Sequence, residues 1–437
     1  MEKLEPFFFD RPFGLGTATA PTQIEGYETD NSWYDWAEIP GKIADGSSPL
    51  RANEHWVRWK ADIDLMAKMG IRYYRLGLEW SRIEPEEGKF DESAVARYRE
   101  ELLYLRKKEI RPLITLHHFS NPSWFEARGA FCSANGSGVF LRYVRYIVTK
   151  IEDLCSEYVT LNEPNVYAAN GYLFGLWPPG VRSFIRSVSV MSRLAGCHIQ
   201  AYRIIHEIYE NRAVHVGFAN HYRIFRAPSE GFLAQIGIKW IEYLFQDGIT
   251  RFMITGRFSF PFGLPFTFRK GTYCDFIGIN YYTRCTMKGL TELPAPPHSD
   301  KNDLGWEIYP DGIRMTVQKY YNRYPLPVFI TENGTADASD TFRARFLYDH
   351  LRTLALDCPY VSRYYHWTFI DNFEWAEGET ARFGLVENDF PTQRRTIRQS
   401  GRFYSEIIKN NGVTDPMIQE YFPVRDTSET RGADEKD

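Results

Sequence analysis

Two glutamates in the sequence sit where chemistry could be done: Glu163 in VTLNEPN and Glu332 in ITENG. Each closes a short apolar run of the kind that forms a β-strand, so each is expected at a strand's carboxyl end. A pair of carboxyls among polar and aromatic neighbours suits cleavage of a glycosidic bond. One must be protonated, to donate to the leaving oxygen, and the other ionised, to meet an oxocarbenium-like centre. Arg75, in YYRLGLEW, beside one carboxyl would keep it charged, and more apolar surroundings would hold the other as an acid. Further polar and aromatic side chains fall at strand ends: Glu79, Trp80 and Arg82; His117 and His118; Asn162; Asn280, Tyr281 and Tyr282; Asn333; Trp367, with Asp371, Glu374 and Trp375 just beyond. Taken singly, a glutamate at a strand end is more often a loop ion pair than a catalyst.

The elements that must position these groups alternate along the chain. Strands are expected at Phe13–Ala20, Tyr73–Trp80, Arg111–His118, Tyr158–Pro164, Val214–Tyr222, Asp275–Tyr282, Pro327–Asn333 and Arg363–Asp371. Helices are expected between them at Trp56–Met69, Asp91–Lys108, Val139–Asp153, Val190–Asn211, Leu233–Gln246, Gly312–Tyr324, Thr341–Asp357 and Thr396–Asn410. In the first of these Trp56, Trp59, Ile63, Met66 and Ala67 recur at helical spacing, and Gly70 follows as a stop. Eight β-then-α units predict an α/β fold, a single (β/α)8 TIM barrel with long βα loops. An open doubly wound sheet is the alternative, and it normally carries a glycine-rich phosphate loop that this sequence lacks. One catalytic domain is read over residues 1–424, with 425–437 as a polar, disordered tail.

Composition narrows the class. The chain has 437 residues and a formal charge of −4, which gives no general pull towards nucleic acid. Aromatic residues make up 16%, an excess that fits either an aromatic-rich core or a cleft stacking the C–H faces of sugars. The six cysteines and the acidic residues show no metal-ligand spacing, so neither metal nor cofactor is predicted. The amino-terminal residues lack a secretory pattern and no apolar run of 18 residues exists, so a cytoplasmic enzyme with reduced thiols is expected.

The motifs GTATAPTQIEG, LGLEWSRIEP, TLHHFSNPSW, VTLNEPN, DFIGINYYT, LGWEIYP, ITENG and WTFIDNFEWAEGETARFGL follow one another in this order. With them the sequence resembles glycoside hydrolase family 1, the retaining β-glucosidase-type family, from about Phe7 to Asn410. The resemblance implies a double displacement in which Glu163 is the acid/base and Glu332 the nucleophile, with carboxyls about 5–5.5 Å apart. It implies that Arg75, Asn280 and Tyr282 orient the nucleophile and keep it ionised. Gln23, His118, Asn162, Glu374 and Trp375 would hold the hydroxyls of the non-reducing sugar, and Trp367 would stack beneath it. His117 is expected to pack, because successive strand residues face opposite ways. Arg82 is expected to form a structural ion pair with Glu79.

The substrate implied is a small-molecule β-glycoside with an unphosphorylated terminal sugar, glucose first, because a carboxylate at Glu374 would repel a phosphate. The leaving-group side departs from the family pattern at Phe119, Ser120–Asn121 and Glu379. The apolar stretch Gly237–Phe268 reads first as a helix and buried connection. Its alternative is a rim for lipid-like or aryl aglycones, with peripheral membrane contact. A non-catalytic receptor is disfavoured because both glutamates are present, and a transglycosidase differs only in its acceptor.

Overall fold

Near-continuous apolar runs become strands buried on both faces, as a parallel sheet covered by helices requires. The computed structural model describes residues 4–257, 259–263 and 268–423; the expected tail at 425–437 lies outside them. All eight expected strands form: β1 (Gly14–Ala18), β2 (Tyr73–Gly77), β3 (Arg111–Thr115), β4 (Glu157–Asn162), β5 (His215–Arg226), β6 (Phe276–Lys288), β7 (Val328–Asn333) and β8 (Val361–Trp367). They run parallel in the order β5-β4-β3-β2-β1-β8-β7-β6. Strand β6 then pairs back with β5, Gly217 opposite Phe276 and Tyr222 opposite Tyr281. That pairing closes the barrel and excludes the open sheet.

The outer ring is α1 (His55–Lys68), α2 (Glu92–Lys107), α3 (Gly136–Ile151), α4 (Phe184–Tyr209), α5 (Phe232–Glu242), α6 (Gly248–Thr255), α7 (Asp311–Arg323), α8 (Arg343–Asp357) and α9 (Gln399–Asn410). Asp91 caps α2 by accepting from the Ser93 and Ala94 N–H groups. Gly70, at φ 77°, ends α1 as expected. Helix α4 starts six residues before the expected Val190, where Ser183 accepts from the Arg186 N–H. Its first turn turns Phe184 and Ile185 outwards, which hides the amphipathic signal. Helix α9 starts at Gln399 because Arg394–Ile397 is taken up in a hairpin with Val386–Asp389.

Two expectations change. Strands β5 and β6 run past the expected ends at Tyr222 and Tyr282, and the charges on the added residues are paired: Arg223 with Glu292 at 2.7 Å and Arg284 with Glu307 at 2.6 Å. The apolar stretch also splits. Helix α6 is the buried connection, with Ile249, Phe252, Met253 and Ile254 in the core, whereas α5 leaves Leu233 81% and Trp240 55% exposed and buries only Ile238. Residues 258 and 264–267 of that stretch lie outside the described part.

At the amino-terminal floor of the barrel the buried Glu157 binds Arg111 at 2.5 Å and Arg363 at 2.7 Å, joining β4 to β3 and β8. No catalytic candidate lies there; all sit at the opposite end, as barrel architecture prescribes.

Candidate active site

Strand register sets the two glutamates. Glu332 is the penultimate residue of β7, opposite Asn280 of β6. Glu163 follows β4 in a left-handed backbone, φ 41° and ψ 57°, with Pro164 starting the short helix Pro164–Ala168. A non-glycine residue held there costs on the order of 1–3 kcal/mol. Its N–H donates to the Ala219 carbonyl at 2.7 Å, which fixes the turn that aims the carboxyl into the barrel mouth.

One network joins the carboxyls. Arg75, fully buried, donates to Glu332 Oε1 at 2.5 Å, to the Thr331 carbonyl at 3.1 Å, to Thr115 Oγ1 at 3.0 Å and to Asn162 Oδ1 at 2.6 Å. The Tyr282 hydroxyl donates to Glu332 Oε2 at 2.7 Å. The Asn280 amide donates both to Asn162 Oδ1, at 3.0 Å, and to Glu163 Oε1, at 2.9 Å. Burial raises the Glu332 pKa and the charge of Glu163 adds to it, while Arg75 and the Tyr282 hydrogen bond pull it back. The Arg75 guanidinium favours the charged form of Glu332.

The sugar-binding candidates meet beside this pair. Asn162 Nδ2 lies 2.8 Å from His118 Nε2, and His118 Nδ1 is buried without a hydrogen-bond partner. Burial, then the nearby Arg75 charge, pushes the His118 pKa well down, so the ring is neutral. Since Asn162 Oδ1 accepts from Arg75, its amide nitrogen donates to Nε2, and His118 carries its hydrogen on the unpartnered Nδ1. Gln23 Nε2 donates to the Phe373 carbonyl at 2.8 Å and to Glu374 Oε2 at 3.1 Å, leaving Gln23 Oε1 buried and unpartnered. Glu374 is pushed up to about 8 by burial and by the charge of Glu332. Its carboxyl accepts from a sugar hydroxyl when charged and can also donate when protonated. The His118 ring lies 5.8 Å from Trp367 and 5.9 Å from Trp375, and Trp33, Phe119 and Trp177 box in Trp375.

Thus all eleven predicted site residues come together. His117 packs against Phe131, Phe140 and Tyr167, as expected. Asp371 is structural, bound to Arg398 at 2.7 Å. The expected Arg82–Glu79 pair is corrected: Arg82 binds Glu25 at 2.7 Å and Glu28 at 3.4 Å. Glu79 instead accepts from Thr22 and Ser120, and burial with the neighbouring Glu25 pushes it up to about 7. The sequence reading missed His221, whose Nδ1 lies 2.9 Å from Glu163 Oε1. The available signal was its place at the end of the fifth strand. Among the described residues no group of three or more His, Cys, Asp or Glu could hold a metal ion, and no helix is long and apolar enough to cross a membrane.

Comparison with known proteins accords with this geometry. The chain is 30% identical over 447 residues to a "Beta-glucosidase A" of Thermotoga maritima, covering 93% of this chain and 99% of that protein. It is 31% identical over 484 residues to a "Beta-galactosidase" of Saccharolobus solfataricus, covering 94% and 97%. Its fold matches a β-glycosidase from Pyrococcus horikoshii with a TM-score of 0.85 at 34% identity, covering 95% and 98%. It also matches the Thermotoga maritima β-glucosidase in complex with glucoimidazole, TM-score 0.86 at 28% identity, covering 93% and 100%. The model of glycosyl hydrolase family 1 matches residues 7–236 and 269–413. The chain belongs to glycosyl hydrolase family 1 and is a hydrolase of O-glycosidic bonds.

Proposed function

We propose that in this retaining β-glycosidase Glu332 is the nucleophile and Glu163 the acid/base, acting on β-glucosides with an unphosphorylated terminal sugar. The carrying observation is the asymmetry of the pair: Glu332 is bound to a buried guanidinium and a phenol, whereas among the described residues Glu163 accepts only from Asn280 and His221. Glu332 forms a bond to the anomeric carbon as the bond to the leaving oxygen breaks, and the Glu163 proton passes to that oxygen. Glu163, now a carboxylate, takes a proton from water, whose oxygen displaces Glu332 and releases the sugar with retention. Gln23 Oε1, His118 Nδ1 and the Glu374 carboxyl meet the sugar hydroxyls, over Trp367. The Glu374 carboxyl can bond either epimer at O4, which supports tolerance of galactose beside glucose. Six free thiols, five of them buried, fit the reducing compartment expected from the sequence.

Replacing Glu163 by alanine tests the acid role. Cleavage of an alkyl β-glucoside is expected to fall about 10²–10⁴-fold, while the glycosylation step with a 2,4-dinitrophenyl glucoside, whose leaving group needs no proton, is spared. Equal losses on both substrates would reject the assignment.

Helix α5 supports a second reading, a preference for lipid-like aglycones at an anionic membrane surface. Phe232, Leu233, Ile236 and Trp240 form one exposed stripe at helical spacing. Around it, residues 223–270 carry seven basic and three acidic side chains in a chain of net charge −4. The family model passes over residues 237–268. Just beyond α5, Phe245 meets the His221 ring edge-on at 6.1 Å, and His221 bonds Glu163, so this segment lies near the acid/base candidate. If two methylenes of an alkyl aglycone are buried at about 0.8 kcal/mol each, octyl glucoside gains about 10-fold in kcat/KM over cellobiose. A clear preference for cellobiose, with no binding to phosphatidylserine vesicles, sinks this reading.

A further inference from the structure

His221 occupies a position in β5 opposite Asn280 of β6, and its backbone is clamped by the Asn165 side chain. The Asn165 amide donates to the His221 carbonyl at 2.8 Å, and Asn165 Oδ1 accepts from its N–H at 3.4 Å. The imidazole lies parallel to the Tyr282 ring, 5.8 Å away, and edge-on to Phe245. Two titratable groups face it, Glu163 and Tyr282. The charge of Glu163 in turn acts on Glu332, with Arg75 reached through Asn280 and Asn162.

The donors and acceptors here are set from Arg75 outwards, because a guanidinium only donates. Asn162 Oδ1 accepts from Arg75, so the group reaching it from Asn280 is an N–H, and the Thr331 hydroxyl donates to Asn280 Oδ1 at 2.6 Å. The same Asn280 amide nitrogen donates to Glu163 Oε1, and His221 Nδ1 lies against that oxygen at 2.9 Å. Among the described residues no protein donor bonds Oε2.

We propose that His221 is a positioning residue for proton transfer, a proposal that rests on Glu163 being the acid/base. Its Nδ1–H and the Asn280 amide together hold Oε1 as a double acceptor. The transferable proton is thereby confined to Oε2, the oxygen left for the leaving group. When that proton departs, the two donors stabilise the carboxylate that remains.

Three variants test this on the pH profile of kcat/KM. His221→Phe keeps a ring against Tyr282 and Phe245 but removes the donor. Its basic limb is expected to rise by about one pH unit, because a hydrogen bond favouring the charged form of Glu163 is lost. Cleavage of an alkyl β-glucoside falls about 10-fold at neutral pH while that of 2,4-dinitrophenyl glucoside stays within about two-fold. His221→Asn places an amide N–H near the position of Nδ1 and restores both the limb and the leaving-group pattern. His221→Ala serves in place of the phenylalanine variant should that one not fold. An unshifted limb in the donor-less variants, or an asparagine variant shifted as far as they are, overturns the proposal. Glu163→Ala separates the two ideas: a basic limb that survives there rejects the acid/base assignment itself.

Discussion

Replacing Glu332 by alanine is expected to lower turnover of p-nitrophenyl β-glucoside by about 10⁴–10⁶-fold, the scale of losing an enzyme's nucleophile. Added azide is expected to restore cleavage of an activated aryl glucoside. The anion enters the space the carboxylate vacates and attacks the anomeric carbon from the same face, so the product is the α-glucosyl azide. Alanine at position 163 leaves the nucleophile intact, so azide there must yield the β anomer. The two products, distinguished by their anomeric coupling constants, assign both glutamates in one experiment. If azide fails with Glu332→Ala and yields the α azide with another carboxylate variant, the nucleophile is misplaced.

The second large effect is expected from Arg75→Met. The guanidinium is buried, and four acceptors converge on it: Glu332, Asn162, Thr331 and Thr115. Removing it leaves Glu332 without a cation while burial and the charge of Glu163 still push its pKa upwards. The nucleophile must be ionised to attack, so the acidic limb of kcat/KM moves to higher pH, with a loss of about 10²–10³-fold at neutral pH. Breaking a buried pair in this way destabilises by about 3–5 kcal/mol. The sign with pH follows from the raised folded pKa. The protonated form of Glu332 favours the fold, so stability is fully present below the unfolded value of about 4.5 and is lost as pH rises through the folded one. The variant is therefore expected to resist urea better at pH 5 than at pH 8. An acidic limb that stays where the parent has it would show that Arg75 does not hold the charge on Glu332.

The barrel was legible because each of its strands contains an apolar run closed by polar residues and is followed by a segment of helical spacing. The eleven site residues were legible through motifs, each tied to a strand end. Where charges pair across the mouth, as Arg223 does with Glu292 and Arg284 with Glu307, local composition reads as loop although the backbone stays extended. Arg82 was paired with the wrong glutamate because Glu25 is 57 residues away in the chain, and proximity in sequence favoured Glu79. His221 lies in FANHYRIF, a run without a motif, and its meaning appears only when β5 is set beside β6. The apolar residues of Gly237–Phe268 read first as a buried connection, with an exposed rim as the alternative, and α5 takes the second course. The solvent exposure of Leu233 and Trp240 depends on which neighbours the surrounding helices supply, and no local pattern records that.

The Glu157 cluster with Arg111 and Arg363 lies at the end of the cylinder away from Glu163 and Glu332. A library of variants sorted by heat resistance should therefore enrich changes around the former, and one sorted by sugar preference should enrich changes around the latter. With little overlap between the two sets, gains in robustness and shifts in selectivity can be combined in one gene with near-additive results.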